Sequence, residues 1–192
     1  MSKGTMRKLL LLLVFVSGAG QAQIRLSGQA KISVITCGPG QDQLYAAFGH
    51  SAFRVEDPVN KIDQVYNYGV FDFRQKNFYL NFARGHNYYR LASYPFSDFE
   101  YAYIYFNRYI HQQELNLNSF QNQKLFDYLE WNALPENQYY LYDYFYDNCA
   151  TRIRDVVVKV FGDSVKFDGS YIETRYSIRD LTDLYLKYQP WG

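Results

Sequence analysis

The chain has 192 residues, enough for one domain with a sizeable core, and its 20 basic and 19 acidic residues nearly cancel. Neither sign forms a long run, so the sequence lacks the basic footprint of a nucleic-acid-binding protein, and no nucleic-acid partner is expected. The unusual feature is the content of 21 Tyr and 15 Phe, which suits core edges, ligand grooves and wet interfaces.

The first 22 residues have the features of a secretory signal peptide. Lys3, Arg7 and Lys8 form a positive region, residues 9–16 form a short apolar run, and Gly20 and Ala22 are small residues at the cleavage-specifying positions. The apolar run is too short to span a bilayer, which takes about 20 residues. We therefore expect cleavage after Ala22 and a single exported domain, residues 23–192, in the periplasm or cell envelope.

The hydrophobic periodicity then predicts a mixture of strands and helices. Strands are expected at residues 31–37, 51–56, 62–67, 87–93, 109–115 and 139–145. Helices are expected at residues 74–84, 95–108 with Ser97 as cap, from Asn118 to Leu134, 149–161 and 178–188. Because strands and helices do not alternate regularly, the sequence predicts an α+β domain with an antiparallel sheet and packed helices.

Cys149 opens the helix predicted at residues 149–161, directly after the capping residue Asn148. Unpaired N–H groups and the helix dipole stabilise a thiolate at a helix N-terminus, and the same groups can bind the oxyanion of a tetrahedral intermediate. A buried structural cysteine and a disulfide with Cys37 are alternatives that the residues leave open.

His50 is the best candidate base for this thiol. Gly49 leaves space around the His50 ring at the start of a strand, whereas His86 and His111 lie in polar stretches typical of the surface. Asn67, at the end of the neighbouring strand, is expected to hold the imidazole in one tautomer. The histidines and cysteines match no zinc motif, so neither a metal nor a cofactor is expected.

Four further residues are candidate substrate contacts: Tyr68, Asn148, Arg152 and Arg154. The two arginines could bind a phospholipid phosphate through their guanidinium groups. They could also pair with Asp147 and Asp155 on the helix surface.

The order of these residues resembles the circularly permuted NlpC-like papain fold, the group that includes lecithin:retinol acyltransferase-like enzymes. A His leads an early strand, a polar residue follows on the next strand, and a late Asn-Cys opens a helix. In the papain-type order the Cys comes first, so a Cys in last position indicates the permuted form.

The sequence is similar over nearly all of the mature chain to the Lnb N-terminal periplasmic domain family of bacterial envelope proteins. The similar segments are residues 32–40, 48–52, 65–69, 77–79, 82–85 and 146–155, of which the last, Tyr-Asp-Asn-Cys-Ala-Thr-Arg-Ile-Arg-Asp, is the most specific. Residues 189–192 resemble a family segment that normally continues. We therefore expect the chain to be truncated at its C-terminus, with a possible membrane region absent from it.

The family's named member is a lipoprotein N-acyltransferase, which moves a fatty acyl chain from phospholipid to the α-amino group of a lipoprotein. The resemblance implies that Cys149 is acylated and that His50 acts as base and then as acid. It also implies a phospholipid or lipoprotein substrate at the membrane surface. The alternatives are a peptidoglycan amidase or endopeptidase that uses the same two residues, and a non-catalytic envelope domain that binds lipid or glycan.

Overall fold

The computed structural model describes residues 23–41, 44–170 and 172–188, so the predicted signal peptide and residues 189–192 lie outside the described residues. The strands are β1 (Lys31–Cys37), β2 (His50–Asp57), β3 (Ile62–Val70), β4 (Asn87–Pro95), β5 (Ile110–Glu114) and β6 (Tyr139–Tyr142). The helices are α1 (Phe78–Ala83), α2 (Phe96–Tyr105), α3 (Ser119–Ala133), α4 (Cys149–Phe161) and α5 (Ile178–Leu186), with 3₁₀ turns at Leu44–Ala46 and Gly162–Ser164. Within the described ranges, no helix is long and apolar enough to cross a membrane.

The six strands form one sheet in the order β5-β1-β2-β3-β4-β6, and every neighbouring pair is antiparallel. The prediction of an α+β domain with an antiparallel sheet and packed helices is confirmed. Side chains alternate between the two faces of such a sheet, so each strand contributes to both layers of core.

One face of the sheet is covered by α3 and α4. Its core joins Phe53 and Val55 of β2 to Leu125 and Leu129 of α3 and to Val156 of α4, all of them buried. The other face is covered by α2, where Phe96 and Phe99 pack on Ile35, Cys37, Ala52 and Val65. Helices on both faces hold the strand ends in place, and the ends of β1 and β2 carry Cys37 and His50 as register partners.

Three local predictions need correction. Ser97 does not cap α2, because the helix already begins at Phe96 after extended Pro95. The helix predicted at residues 74–84 starts only at Phe78, since Asn77 adopts a left-handed conformation with φ 60°. The predicted aromatic strand ends at Tyr142, where Asp143 accepts hydrogen bonds from the N–H groups two and three residues later and turns the chain.

The described N-terminal segment is tied to the turn between β2 and β3 by the buried carboxylate of Asp57. This carboxylate accepts hydrogen bonds from the Ser27 N–H and hydroxyl at 2.6 Å each, and from the Asn60 side chain at 2.7 Å. Burial opposes its charge, but these hydrogen bonds outweigh burial and lower the pKa of Asp57 to about 2.

Candidate active site

His50 is held in one orientation by a chain of two hydrogen bonds. Its Nε2–H donates to Asn67 Oδ1 at 2.5 Å, and the Asn67 amide nitrogen donates to the Tyr94 hydroxyl at 2.7 Å. Because the amide donates to Tyr94 through nitrogen, its oxygen faces His50 and fixes the proton on Nε2. The other ring nitrogen, Nδ1, is left for Cys149.

Cys149 is the first residue of α4, as the sequence predicts. The Asn148 side chain accepts from the N–H groups of Ala150 and Thr151 at 3.0 Å each, and the Thr151 hydroxyl accepts in return from the Asn148 N–H at 2.7 Å. This reciprocal capping box fixes the first turn of the helix. It therefore fixes the position of the Cys149 sulfur at the positive end of the helix dipole.

The Cys149 thiol and the His50 imidazole lie close enough for each to shift the pKa of the other. Burial by itself raises the pKa of Cys149, but the hydrogen bond and charge of His50 outweigh burial and lower it. The backbone N–H groups of Ser51 and Ala150 also contribute to this lowering. Burial lowers the pKa of His50, and the contacts with Cys149 and Asn67 more than offset this, so its pKa is raised. Both shifts favour a thiolate–imidazolium pair.

The surroundings of Cys37 shift its pKa in the opposite direction, although Cys37 also lies near the ends of β1 and β2. It is 2% exposed, and burial raises its pKa to about 12. The two cysteines are free rather than joined in a disulfide. A raised pKa disfavours the thiolate, so of the two cysteines Cys149 is the one whose surroundings favour the thiolate.

Two glycines allow the backbone to approach this site. A Cβ on Gly49 would lie 2.6 Å from the Cys37 carbonyl oxygen, so no larger residue fits directly before His50. Gly69 adopts φ 88° where the register of β3 shifts beside β4, and a Cβ there would lie 3.8 Å from Cys149 Cβ. Gly69 thus leaves open space next to the sulfur-bearing residue.

A cleft of about 880 Å³ opens beside Cys149 and His50. Its lining is dominated by aromatic and aliphatic side chains, which include Phe99, Ala102 and Tyr103 of α2 with Phe106 just after it; Phe71 and Phe73 after β3; Tyr142, Tyr144 and Phe145 around the end of β6; and Ile178, Leu181 and Tyr185 of α5. This volume is in the range of small-molecule sites, which are mostly apolar with a few polar groups. The lining suits an extended apolar chain.

The four predicted substrate contacts are placed differently from one another. Asn148 lines the cleft. Tyr68 faces the opposite side of β3 from Asn67, is 1% exposed and donates through its hydroxyl to Asn132 at 2.6 Å, so it lies in the core. Arg152 and Arg154 do not line the cleft.

The two arginines form the ion pairs that the sequence offered as the alternative. Arg152 binds Asp147 through both Nε and an Nη, and its guanidinium lies 4.0 Å from the centre of the Tyr140 ring. Arg154 pairs with Asp155 at 2.7 Å on the surface. His86 and His111 are exposed, as predicted.

Sequence reasoning missed three contributors to the site: Tyr94 behind Asn67, Gly69 beside Cys149, and Arg108, which lines the cleft. Tyr94 and Arg108 reach the site from distant parts of the chain, and no local pattern indicates them. Gly69 had one signal, an isolated glycine in a strand, which is typical of a bulge or of a close approach.

The family model of the Lnb N-terminal periplasmic domain matches residues 22–183, most of the chain. The chain belongs to this family. Among curated proteins and among solved structures, nothing matches the chain. Membership in the Lnb N-terminal family makes this a periplasmic domain, and within it His50, Asn67 and Cys149 all fall inside the matched residues. The relationship of this Lnb-type domain to the permuted papain fold stays a prediction.

Proposed function

We propose that this Lnb-type domain is a cysteine-dependent acyltransferase or acyl hydrolase that acts on a fatty acyl ester of the cell envelope. The observation that supports this most directly is the arrangement of Cys149, His50 and Asn67 at the edge of an apolar cleft, in which His50 lowers the pKa of Cys149 and is hydrogen-bonded to Asn67. An activated nucleophile, a base and a group that orients the base are the three parts of a generalised triad.

In the first step the Cys149 sulfur attacks the carbonyl carbon of the acyl ester. A C–S bond forms, the ester C–O bond breaks, and the His50 imidazolium gives its proton to the leaving alkoxide. The products are an acyl thioester on Cys149, a free alcohol and a neutral His50.

The tetrahedral intermediate of this step needs hydrogen-bond donors for its oxyanion. The capping box occupies the N–H groups of Ala150 and Thr151, whereas the Cys149 N–H has no acceptor among the described residues. This N–H group lies at the helix N-terminus and would receive the oxyanion.

In the second step an amine or a water molecule attacks the thioester. Neutral His50 takes the proton of the incoming group, the C–S bond breaks, and the thiolate–imidazolium pair returns. With an amine the result is acyl transfer to an amide, and with water it is hydrolysis. By resemblance to the named member of the family, the amine is the N-terminus of a lipoprotein and the donor is a phospholipid.

The experiment that tests this proposal compares covalent acylation of three proteins. Wild type, Cys149→Ser and Cys37→Ser are incubated with a 4-nitrophenyl octanoate probe and analysed by intact-protein mass spectrometry. We expect an octanoyl adduct on wild type and Cys37→Ser and none on Cys149→Ser, because only Cys149 has a lowered pKa. Equal labelling of all three, or no labelling of any, would contradict the proposal.

Acyl-chain length tests the role of the cleft. Burying a methylene contributes about 0.8 kcal/mol, so each added methylene should improve the ratio kcat/KM by up to about fourfold until the cleft is filled. A peptidoglycan amidase would instead cleave muropeptides and show no preference for longer acyl chains. Cleavage of muropeptides without any acyl-chain preference would favour that alternative.

A further inference from the structure

Arg108 lies just after α2 and lines the same cleft as Cys149 and His50. Besides His50, it is the only basic side chain among the described residues that line the cleft. The positive charge of Arg108 also lowers the pKa of His50, although its effect is smaller than those of burial, Cys149 and Asn67.

The backbone fixes where this side chain begins. Asn107 adopts a left-handed conformation with φ 51°, and the N–H groups of Asn107 and Arg108 donate to the carbonyls of Ile104 and Tyr103 at 3.0 and 2.8 Å. These two hydrogen bonds form a Schellman motif, a specific way to end a helix. The backbone position of Arg108 is therefore fixed by the end of α2.

The guanidinium is also held from two sides. Its Nε–H donates to the Gly38 carbonyl at 2.8 Å, and its central carbon lies 4.6 Å from the centre of the Tyr103 ring. A guanidinium has five N–H donors, and the Nε–H is the only one with a hydrogen-bond partner among the described residues. The terminal nitrogens remain available to a ligand in the geometry that matches a phosphate.

The other charged residue of the cleft lining is Asp98, and it does not neutralise Arg108. Asp98 is in the first turn of α2 and Arg108 follows its last turn, so the two charges lie at opposite ends of the helix. No ion pair joins them in the described part of the chain. The cleft thus has a negative end and a positive end, with apolar side chains of α2 between them.

We propose that Arg108 binds a phosphate carried by the alcohol part of the acyl donor, so that the site selects phosphate-bearing acyl esters over neutral ones. This inference rests on the proposed function, because it assigns the polar end of the substrate of that same site. A phosphate only a few bonds from the scissile ester would be repelled by the Cys149 thiolate, and a fixed guanidinium offsets this repulsion.

Binding of esterless analogues separates this inference from catalysis. The probes are a dihexyl ether glycerophosphoglycerol, its neutral counterpart dihexylglycerol, and inorganic phosphate, each titrated into the protein by isothermal calorimetry below the micelle concentration. We expect the phosphate-bearing ether to bind wild type more tightly than the neutral ether. In Arg108→Gln its affinity should fall by about 10- to 100-fold, the effect of losing charged hydrogen bonds, while the neutral ether binds unchanged.

Two further variants sharpen the comparison. Arg108→Lys keeps the charge but loses the planar fork, so it should recover only part of the affinity for the phosphate-bearing ether. Arg25→Gln removes an equivalent charge from an exposed position beside Asn60, at the opposite end of β2 from His50, and should change nothing. Circular dichroism and thermal melting of each variant exclude a loss of folding as the cause.

Three results would overturn the inference. One is an equal loss of affinity for the phosphate-bearing and the neutral ether in Arg108→Gln, since this would mean that Arg108 only stabilises the backbone at Gly38. Another is unchanged binding of the phosphate-bearing ether in that variant. The third is binding of inorganic phosphate as tight as that of the ether, which would assign the position to a free anion. Failure of acylation at Cys149 would leave these binding results intact and would contradict the proposed function alone.

Discussion

The Oδ1 atom of Asn67 lies 2.5 Å from Nε2 of His50, and these two residues come from neighbouring strands rather than from one motif. The contact sets the imidazole tautomer, because Asn67 Oδ1 accepts a hydrogen bond from the Nε2–H group. Nδ1 is then the unprotonated ring nitrogen, and it can take the proton of the Cys149 thiol. Asn67 thus fixes the orientation of the His50 imidazole.

Replacing Asn67 by Ala should lower the rate of acylation without removing the nucleophile. We expect a loss of about tenfold or more, smaller than the roughly 10⁴-fold known for a charged orienting group, because the amide is neutral. Tyr94→Phe should have a weaker effect of the same kind, since it removes only the partner of the Asn67 amide. Single-turnover kinetics with 4-nitrophenyl octanoate measure both. Equal rates in wild type and Asn67→Ala would exclude an orienting role.

His50→Ala should shift the pH dependence of Cys149 alkylation upward. In wild type the midpoint is expected below 9.0, the ordinary thiol value, because His50 more than offsets burial. Without His50, burial remains as the larger influence, so the midpoint rises and the rate of iodoacetamide alkylation at pH 7 falls. On the alkaline side, acylation should decline as the pH rises through the raised pKa of His50.

The control for this measurement is His86→Ala, which changes an exposed imidazole. Its alkylation profile should match that of wild type, and a Cys37→Ser background removes any contribution from the second thiol. An unchanged midpoint in His50→Ala would contradict the interaction between His50 and Cys149.

Gly69→Ala should reduce acylation more than it reduces stability. A residue with a Cβ at φ 88° costs roughly 1–2 kcal/mol, and the added methyl group would occupy space 3.8 Å from Cys149 Cβ and 3.5 Å from the Tyr142 ring. A small displacement of the reacting groups can cost up to about 100-fold in rate, so we expect a loss of about 10- to 100-fold in acylation.

Gly85→Ala is the matched control, since Gly85 has φ 71° and the added methyl group would meet no heavy atom of the described residues within 4 Å. Its free energy of unfolding should fall by a similar amount, while its acylation rate stays at the wild-type value. Parallel losses of rate in both variants would mean that backbone strain alone explains the effect.

Asp57→Ala should destabilise the fold by about 2–3 kcal/mol at pH 7, because it deletes charge-assisted hydrogen bonds to the N-terminal segment and leaves their donors without an acceptor. The folded pKa is depressed from 3.8 to about 2, so the contribution is complete above pH 3.8 and is lost as the pH falls through about 2. Urea unfolding at pH 7 and at pH 2 measures the difference, which should shrink at the lower pH.

Asp168→Ala provides the comparison for Asp57. Its carboxylate is exposed and, among the described residues, accepts only from Ser170, so its removal should leave the free energy of unfolding nearly unchanged. A loss at Asp168 as large as that at Asp57 would count against the anchoring role of the buried carboxylate.

The parts of the fold that sequence predicts well have strong local signals. Asn148 caps α4 as expected, and α4 spans Cys149–Phe161 as expected, because helix caps and ends depend on a few neighbouring residues. The same locality explains the placement of Cys149 at a helix start. His50 and Asn67 required only the further assumption that two consecutive strands pair.

What the sequence does not predict depends on contacts between distant residues. Arg108 approaches the cleft because Gly38, 70 positions earlier, offers it a carbonyl, and no pattern near residue 108 encodes that partner. The sequence also places Tyr68 near the substrate, whereas the structure places it in the core. Strand alternation predicts that Asn67 and Tyr68 face opposite sides of β3, but the packed helices decide which of the two sides is the cleft.

The separation of His50 and Cys149 along the chain determines when the thiol becomes reactive. The His50 hydrogen bond and the Ser51 N–H that lower the Cys149 pKa are supplied by β2, and the cap that positions the sulfur is supplied by α4. Before α4 docks on β2, the nascent polypeptide therefore carries only ordinary thiols. The lowered pKa of Cys149 is therefore a property of the folded domain, because it needs β2 and α4 together.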